Sequence, residues 1–175
     1  MDRSVLMLIV LAVLIALLAL MLVGWRGRQR RQRDLGRPAT VPQDPGADLF
    51  SARGFYVATT LAGDPLARVA VGGLGFRSRA TVTATEAGII LAIPGQERIF
   101  LPRENILGVD RATWTIDRVV EQDGMVLVRW RLPAADGYID VDSYLRFTDP
   151  EESTAFQSTV EDQYLHSTTE GGNAQ

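Results

Sequence analysis

The sequence predicts a mainly β fold: one N-terminal transmembrane helix, then an antiparallel β-sandwich or partly open barrel of six or seven strands, closed by a C-terminal helix. Three observations carry this. Val5 to Val23 is a run of nineteen residues with no charged or polar side chain. Beyond residue 48, short stretches rich in Val, Ile, Thr and aromatic residues recur with turn residues between them, as in strands joined by tight connections. After Phe147 the apolar spacing changes from two to about four, as where a strand gives way to a helix.

The opening run would make roughly 28 Å of helix at about 1.5 Å per residue, close to the hydrocarbon thickness of a bilayer. A cleavable signal has a basic leader, a shorter apolar region and a small-residue cleavage site. Here only Asp2 and Arg3 precede the run and Gly24-Trp25-Arg26 follow it, so a retained anchor over residues 1–25 is expected. Arg26, Arg28, Arg30, Arg31, Arg33 and Arg37 come directly after the span. Positive residues stay on the cytoplasmic side, which places the chain in the cytoplasmic membrane with its N-terminus outside and the remainder in the cytoplasm. Trp25 falls where an aromatic ring prefers the headgroup layer, and the arginines are attracted to an anionic leaflet. Ala12 and Ala16 form a small-xxx-small pair, which leaves homo-oligomerisation through the helix open. Residues 26–47 are Arg-rich and then Pro-rich, with Pro38, Pro42 and Pro45 among Gly36 and Gly46, and read as a semi-extended linker.

The domain is expected over residues 48–165, with a disordered tail at 166–175. "FYVATT" (55–60) is the first clear strand, and "RATVTAT" (79–85) turns at Glu86-Ala87-Gly88 into "IILAI" (89–93). "RIFL" (98–101) follows Pro94-Gly95, and "ATWTIDRVVE" (112–121) meets "MVLVRWRL" (125–132) across Asp123-Gly124, a hairpin signal. "YIDVDSYLRF" (138–147) puts Ile139, Val141, Leu145 and Phe147 on one face and Asp140, Asp142 and Arg146 on the exposed one. Asp149, Pro150 and Glu152 stand as N-cap, first helical residue and capping-box acid. Phe156, Val160 and Tyr164, with Ala155 beside them, make one apolar helix face.

Composition excludes several chemistries. There is no cysteine, and all eighteen basic residues are Arg. The lysine of a nucleotide phosphate loop, of a protein kinase or of a Schiff base is therefore absent. Residues 1–47 carry seven Arg against three acids and residues 48–175 eleven against eighteen, so the domain is acidic and a poor partner for nucleic acid. Asp136, Asp140 and Asp142 lack the glycine and terminal Glu of a calcium loop. His166 is the single histidine, near the ragged end of the last helix, and reads as a surface residue. "VGGLGFR" does not fit G-x-G-x-x-G and reads as a turn or bulge. Trp114 with Ile116, and Trp130 with Val126 and Val128, read as core, with Arg111, Asp117 and Arg118 as rim charges. No catalytic residue, metal site or cofactor is expected.

"VTATEAGIIL" followed by "IFLPRENILGV" resembles the bacterial pleckstrin-homology-like (PH-like) pattern, with Ile106 and Val109 at its turn positions. "GFYVATTLAGDPLARVAVGGLGFRSRA" and "RATWTIDRVVE" are similar to small bacterial single-pass proteins whose PH-like domain follows an N-terminal membrane helix, and whose genes often neighbour pyrimidine-biosynthesis genes. The resemblance implies the fold; with a membrane helix in front and the usual nucleophile, metal and base constellations missing, the expected function is a non-enzymatic interaction module at the membrane that presents a strand edge or loop surface to a protein partner. PH-like domains elsewhere also bind lipid headgroups through basic residues between their first two strands. The nearest match is "GLGFRSR", which makes Phe76, Arg77 and Arg79 the candidate surface for an anionic headgroup or small ligand. The bland reading beside it is a solvated strand edge with Phe76 partly buried.

Overall fold

The computed structural model describes residues 3–112 and 125–166. The chain divides into two compact units, Met1–Asp34 and Leu35–Gln175. The first is a single helix, α1 (Arg3–Arg33). It runs past the expected end of the anchor at residue 25 and takes in the Arg-rich stretch, because Arg and Gln are good helix formers and the first proline comes only at Pro38. Within it, Met7–Gly24 is long and apolar enough to cross a membrane, and none of that window is buried.

The second unit contains eight strands among the described residues, all paired antiparallel. They are β1 (Asp48–Leu61), β2 (Asp64–Arg68), β3 (Ser78–Thr85), β4 (Gly88–Ala92), β5 (Ile99–Pro102), β6 (Ile106–Ala112), β7 (Met125–Ala134) and β8 (Gly137–Phe147). The sheet order is β5-β4-β3-β1-β8-β7-β6, with β2 paired to β1. Two strands depart from the sequence expectation: β2, whose Gly63-Asp64-Pro65 opening reads as a turn, and β6, which takes Ile106 and Val109, expected at turn positions, into the sheet. The partner of β7 is β6, preceded by a 3-10 turn at Arg103–Asn105. Residues 113–121 of the expected strand "ATWTIDRVVE" lie outside the described residues.

Strand β1 starts seven residues before "FYVATT". Its first half pairs with β3 from Asp48↔Thr85 to Tyr56↔Ser78, and its second half pairs with β8 from Gly54↔Phe147 to Leu61↔Val141. One apolar cluster accordingly draws on Tyr56 of β1, Val82 of β3, Leu91 of β4, Leu101 of β5, Ile106 of β6, Trp130 of β7 and Leu145 of β8. Residues 35–47, read as a spacer, lie along this domain instead. Leu35 and Ala39 form bridges with Ala134 and Phe100, and Gly36 N donates to Pro133 O at 2.8 Å. Ala87 N donates to Pro45 O at 3.0 Å. A proline-rich segment cannot donate a full ladder, but it can supply carbonyls to a neighbour's free N–H groups.

Helix α2 (Pro150–Val160) is capped by Asp149, whose side chain accepts from Glu151 N at 2.9 Å. Its last turn, Glu161–Leu165, widens to π-helical winding. Phe156, Val160 and Tyr164 are buried as their spacing requires, whereas Ala155 is exposed on the opposite side. Phe156 packs against Phe50 and Phe147 with ring centroids 5.5 and 5.2 Å away. Phe156→Ala should lower the unfolding free energy of the domain by about 3–5 kcal/mol. Urea denaturation of the detergent-solubilised chain, followed by tryptophan fluorescence, measures it.

Candidate functional site

The register of β1 assembles a patch that the linear sequence separates. Phe55 is opposite Arg79 on β3 and opposite Arg146 on β8, so these three side chains share the outer face of the sheet in one row. Arg53, two residues earlier on β1, lies on the same face. Arg77, just before β3, places its guanidinium carbon 5.6 Å from the Phe55 ring centroid, a cation–π contact. All four arginines are exposed, and among the described residues none has an ion pair. Arg53 pairs in register with Thr81, and Ser51, two residues before it on β1, pairs with Thr83, so the next positions on this face are hydroxyl side chains.

Arg77 and Arg79 are thus brought together around Phe55. Phe76 is not partly buried: it is 77% exposed. Arg53 and Arg146 were missed, since only strand register, not spacing, joins residues 93 positions apart.

The loop that carries Phe76 and Arg77 is pinned from inside. Val69 and Leu74 are buried, and the Tyr56 hydroxyl donates to Leu74 O at 2.8 Å. Tyr56 also shares a 2.8 Å bond with Thr59 Oγ1, which lies 2.6 Å from Ser143 Oγ, and Trp130 Nε1 donates to that oxygen at 2.9 Å. Burial pushes the Tyr56 phenol well above its ordinary value. The chain turns through "VGGLG" with Gly72 and Gly73 at φ of 56° and 90°, left-handed conformations that make it a turn.

The other candidates resolve structurally. Asp142 is not an exposed face residue: it is buried and accepts two bonds from Arg129, Nε at 2.8 Å and Nη2 at 3.2 Å. The pattern of alternation assigned its face correctly but could not show that the face is covered there. The hydrogen bonds with Asp142 raise the Arg129 pKa. Asp136 and Asp140 stay exposed, and among the described residues no group of three or more His, Cys, Asp or Glu is placed to hold a metal. His166 Nδ1 lies 2.9 Å from Glu161 O on the surface. Trp130 is fully buried, while Trp114, Ile116, Asp117 and Arg118 lie outside the described residues. Trp25, Arg26, Arg28, Arg30, Arg31 and Arg33 all belong to the backbone of α1. Arg111, read as a rim charge, instead ties β6 to α2, donating to Gln157 Oε1 at 3.1 Å and Thr154 Oγ1 at 3.0 Å. Beside that strap is a shallow open depression of about 450 Å³ lined by Pro150, Glu151, Thr154, Ala155 and Ser158.

A long first strand shared by two halves of an antiparallel sheet, with a C-terminal helix packed on the core, agrees with the family comparison. A model of the family described as bacterial PH domain-like matches residues 35–161. The chain belongs to that family. The match begins at Leu35, the residue at which the compact unit begins, and so takes in the docked segment 35–47. No curated protein matches the chain significantly. Membership makes the PH-like domain a binding module in general, and the exposed features above are what it has available for binding.

The helix that closes the PH-like domain gives a pH signature. Tyr164 donates to Thr85 O at 2.6 Å, and burial pushes its phenol up to about 12, against partial relief from that bond and from Arg103. The unfolded phenol titrates near 10, so this contribution is complete below about pH 10 and is lost as pH rises through about 12. The urea midpoint should fall over that window. Tyr164→Phe should make the fall shallower while costing about 1 kcal/mol at neutral pH.

Proposed function

We propose that the chain is a membrane-tethered, non-enzymatic interaction module. Helix α1 remains in the cytoplasmic membrane with its N-terminus outside, and the PH-like domain meets a protein partner at the cytoplasmic face. The observation that carries this reading is a membrane-length apolar helix whose window is unburied, followed at Leu35 by a binding-module domain. The arginines after the span favour the cytoplasmic placement.

Two surfaces suit a partner. Among the described residues β6 pairs with β7 alone, so strand addition at its other edge is one mode of partner binding. The depression on α2 adjoins β6, since Thr154 both lines it and accepts from Arg111. A second reading, capture of an anionic headgroup or small ligand by Arg77 and Arg79, is favoured by the lack, among the described residues, of an acidic partner at either one.

Two measurements test the proposal. Protease added outside intact cells should leave the domain uncut, whereas inside-out membrane vesicles should lose it; digestion in intact cells would overturn the topology. A photo-crosslinking side chain at Asp110 of β6 should trap a discrete adduct in vivo that Ala155→Arg and Ser158→Arg reduce at least tenfold. An adduct unchanged by both would move the partner away from this edge.

A further inference from the structure

We propose that the partner met at α2 is a second copy of this chain: Phe76 of one copy enters the depression on α2 of another, and Arg77 and Arg79 face the carboxylates of that helix. The inference rests on the interaction-module reading above and names its partner.

Phe76 is the first reason. At 77% it is the most exposed large apolar side chain of the domain among the described residues. An aromatic ring in water gains by burial against a second surface, and rings of this kind anchor protein interfaces. The loop presents it ready for contact: Val69 and Leu74 are buried, and the Tyr56 hydroxyl donates to Leu74 O at 2.8 Å. A partner therefore meets Phe76 without first ordering the chain around it.

The receiving surface is the second. The depression on α2 has a volume of about 450 Å³, is open to solvent, and is mainly apolar, with Pro150, Thr154 and Ala155 among its lining residues and Glu151 beside them. So shallow a surface does not enclose a small ligand, but it receives one side chain pressed in from another protein.

Charge is the third. From Phe147 to Leu165 the chain has five carboxylates, Asp149, Glu151, Glu152, Glu161 and Asp162, and no basic residue. Among the described residues two arginines reach this helical segment, Arg111 at Gln157 and Thr154 and Arg103 over the Tyr164 ring, so negative charge stays in excess. Around Phe76 the sign is reversed: Arg77 and Arg79 are next to it, and Arg53 and Arg146 share the sheet face of Phe55 behind them. Opposite potentials steer the loop of one copy onto the helix of another, while loop against loop or helix against helix is repelled. The giving and receiving surfaces are different parts of the chain, so the contact is heterologous. Helix α1 confines all copies to one membrane, where a high effective concentration lets a weak contact suffice.

The sequence makes the contact easy to map. The chain has no lysine and its last arginine is Arg146, so trypsin releases α2 within the peptide 147–175 and Phe76 within 69–77. Full-length protein with benzoylphenylalanine at position 76, which keeps an aromatic ring there, is reconstituted into phosphatidylcholine vesicles with an affinity-tagged copy that lacks it. Irradiation should join the two copies and link peptide 69–77 to peptide 147–175. Raising the salt concentration should lower the yield. Arg77→Glu with Arg79→Glu in the crosslinking copy should lower it roughly tenfold or more, as should Glu151→Arg with Glu152→Arg in the tagged copy, and the two reversals together should restore it.

Circular dichroism of each variant establishes that the domain is folded. A missing tagged adduct, an adduct mapped outside 147–175, attachment to lipid alone, or combined reversals that restore nothing overturns the proposal. The broader reading fails separately: with self-contact refuted, an Asp110 adduct in cells that still depends on Ala155 and Ser158 leaves α2 as the surface for a different protein, whereas loss of that adduct as well refutes the α2 surface itself.

Discussion

Strand β1 is the constraint on which the PH-like domain rests. Its fourteen residues pair with β3 along one half and β8 along the other, so a single extended segment joins the β3–β5 side of the sheet to the β6–β8 side. Where the two pairings overlap, at Gly54 to Tyr56, the strand is hydrogen-bonded on both edges. A side chain at Gly54 would meet Arg146 O at 2.6 Å, so the approach of β8 to β1 depends on a residue with no Cβ. The same overlap fixes the surface, because a slip of one residue would turn Phe55 inward and Tyr56 outward, dismantling both the arginine row and the buried hydroxyl chain.

Inside and outside are coupled through that segment. Tyr56 points inward to the Leu74 carbonyl and to Thr59, Ser143 and Trp130; Phe55 points outward to Arg77, Arg79 and Arg146. Buried hydroxyls are costly unless satisfied, and here each has a partner that belongs to a different strand or loop. The network therefore specifies how the β1–β3 connection lies, and with it where Phe76 stands. Asp142 makes a comparable link between β8 and β7, its carboxylate held by both nitrogens of one guanidinium edge.

The parts of this fold that were legible in the sequence are those governed by local pattern. Alternating Val, Ile and Thr marked β3, β4 and β7, and the Asp149-Pro150 start with Phe156, Val160 and Tyr164 marked α2. The nineteen-residue apolar run marked the helix, while its continuation to Arg33 depended on propensity that a change in polarity disguised. The first half of β1 was not legible: Asp48, Ser51, Arg53 and Gly54 have little β-propensity, and the segment is extended because β3 pairs with it. Strand β2 hid behind Gly63 and Pro65 for the same reason. At the candidate site, Phe76, Arg77 and Arg79 are neighbours in sequence, but Arg53 and Arg146 join them only through register. The burial of Asp142 likewise depends on a cover that two-residue alternation cannot report.

The role assigned to β1 is tested most directly by amide hydrogen exchange along it. If one strand unites the domain, amides from Ala52 to Thr60 should exchange together, at rates set by global unfolding and with a shared dependence on urea. Fast, urea-independent exchange confined to residues 50–54, with 56–60 still protected, would show that the β3 and β8 pairings are separate and would contradict the account.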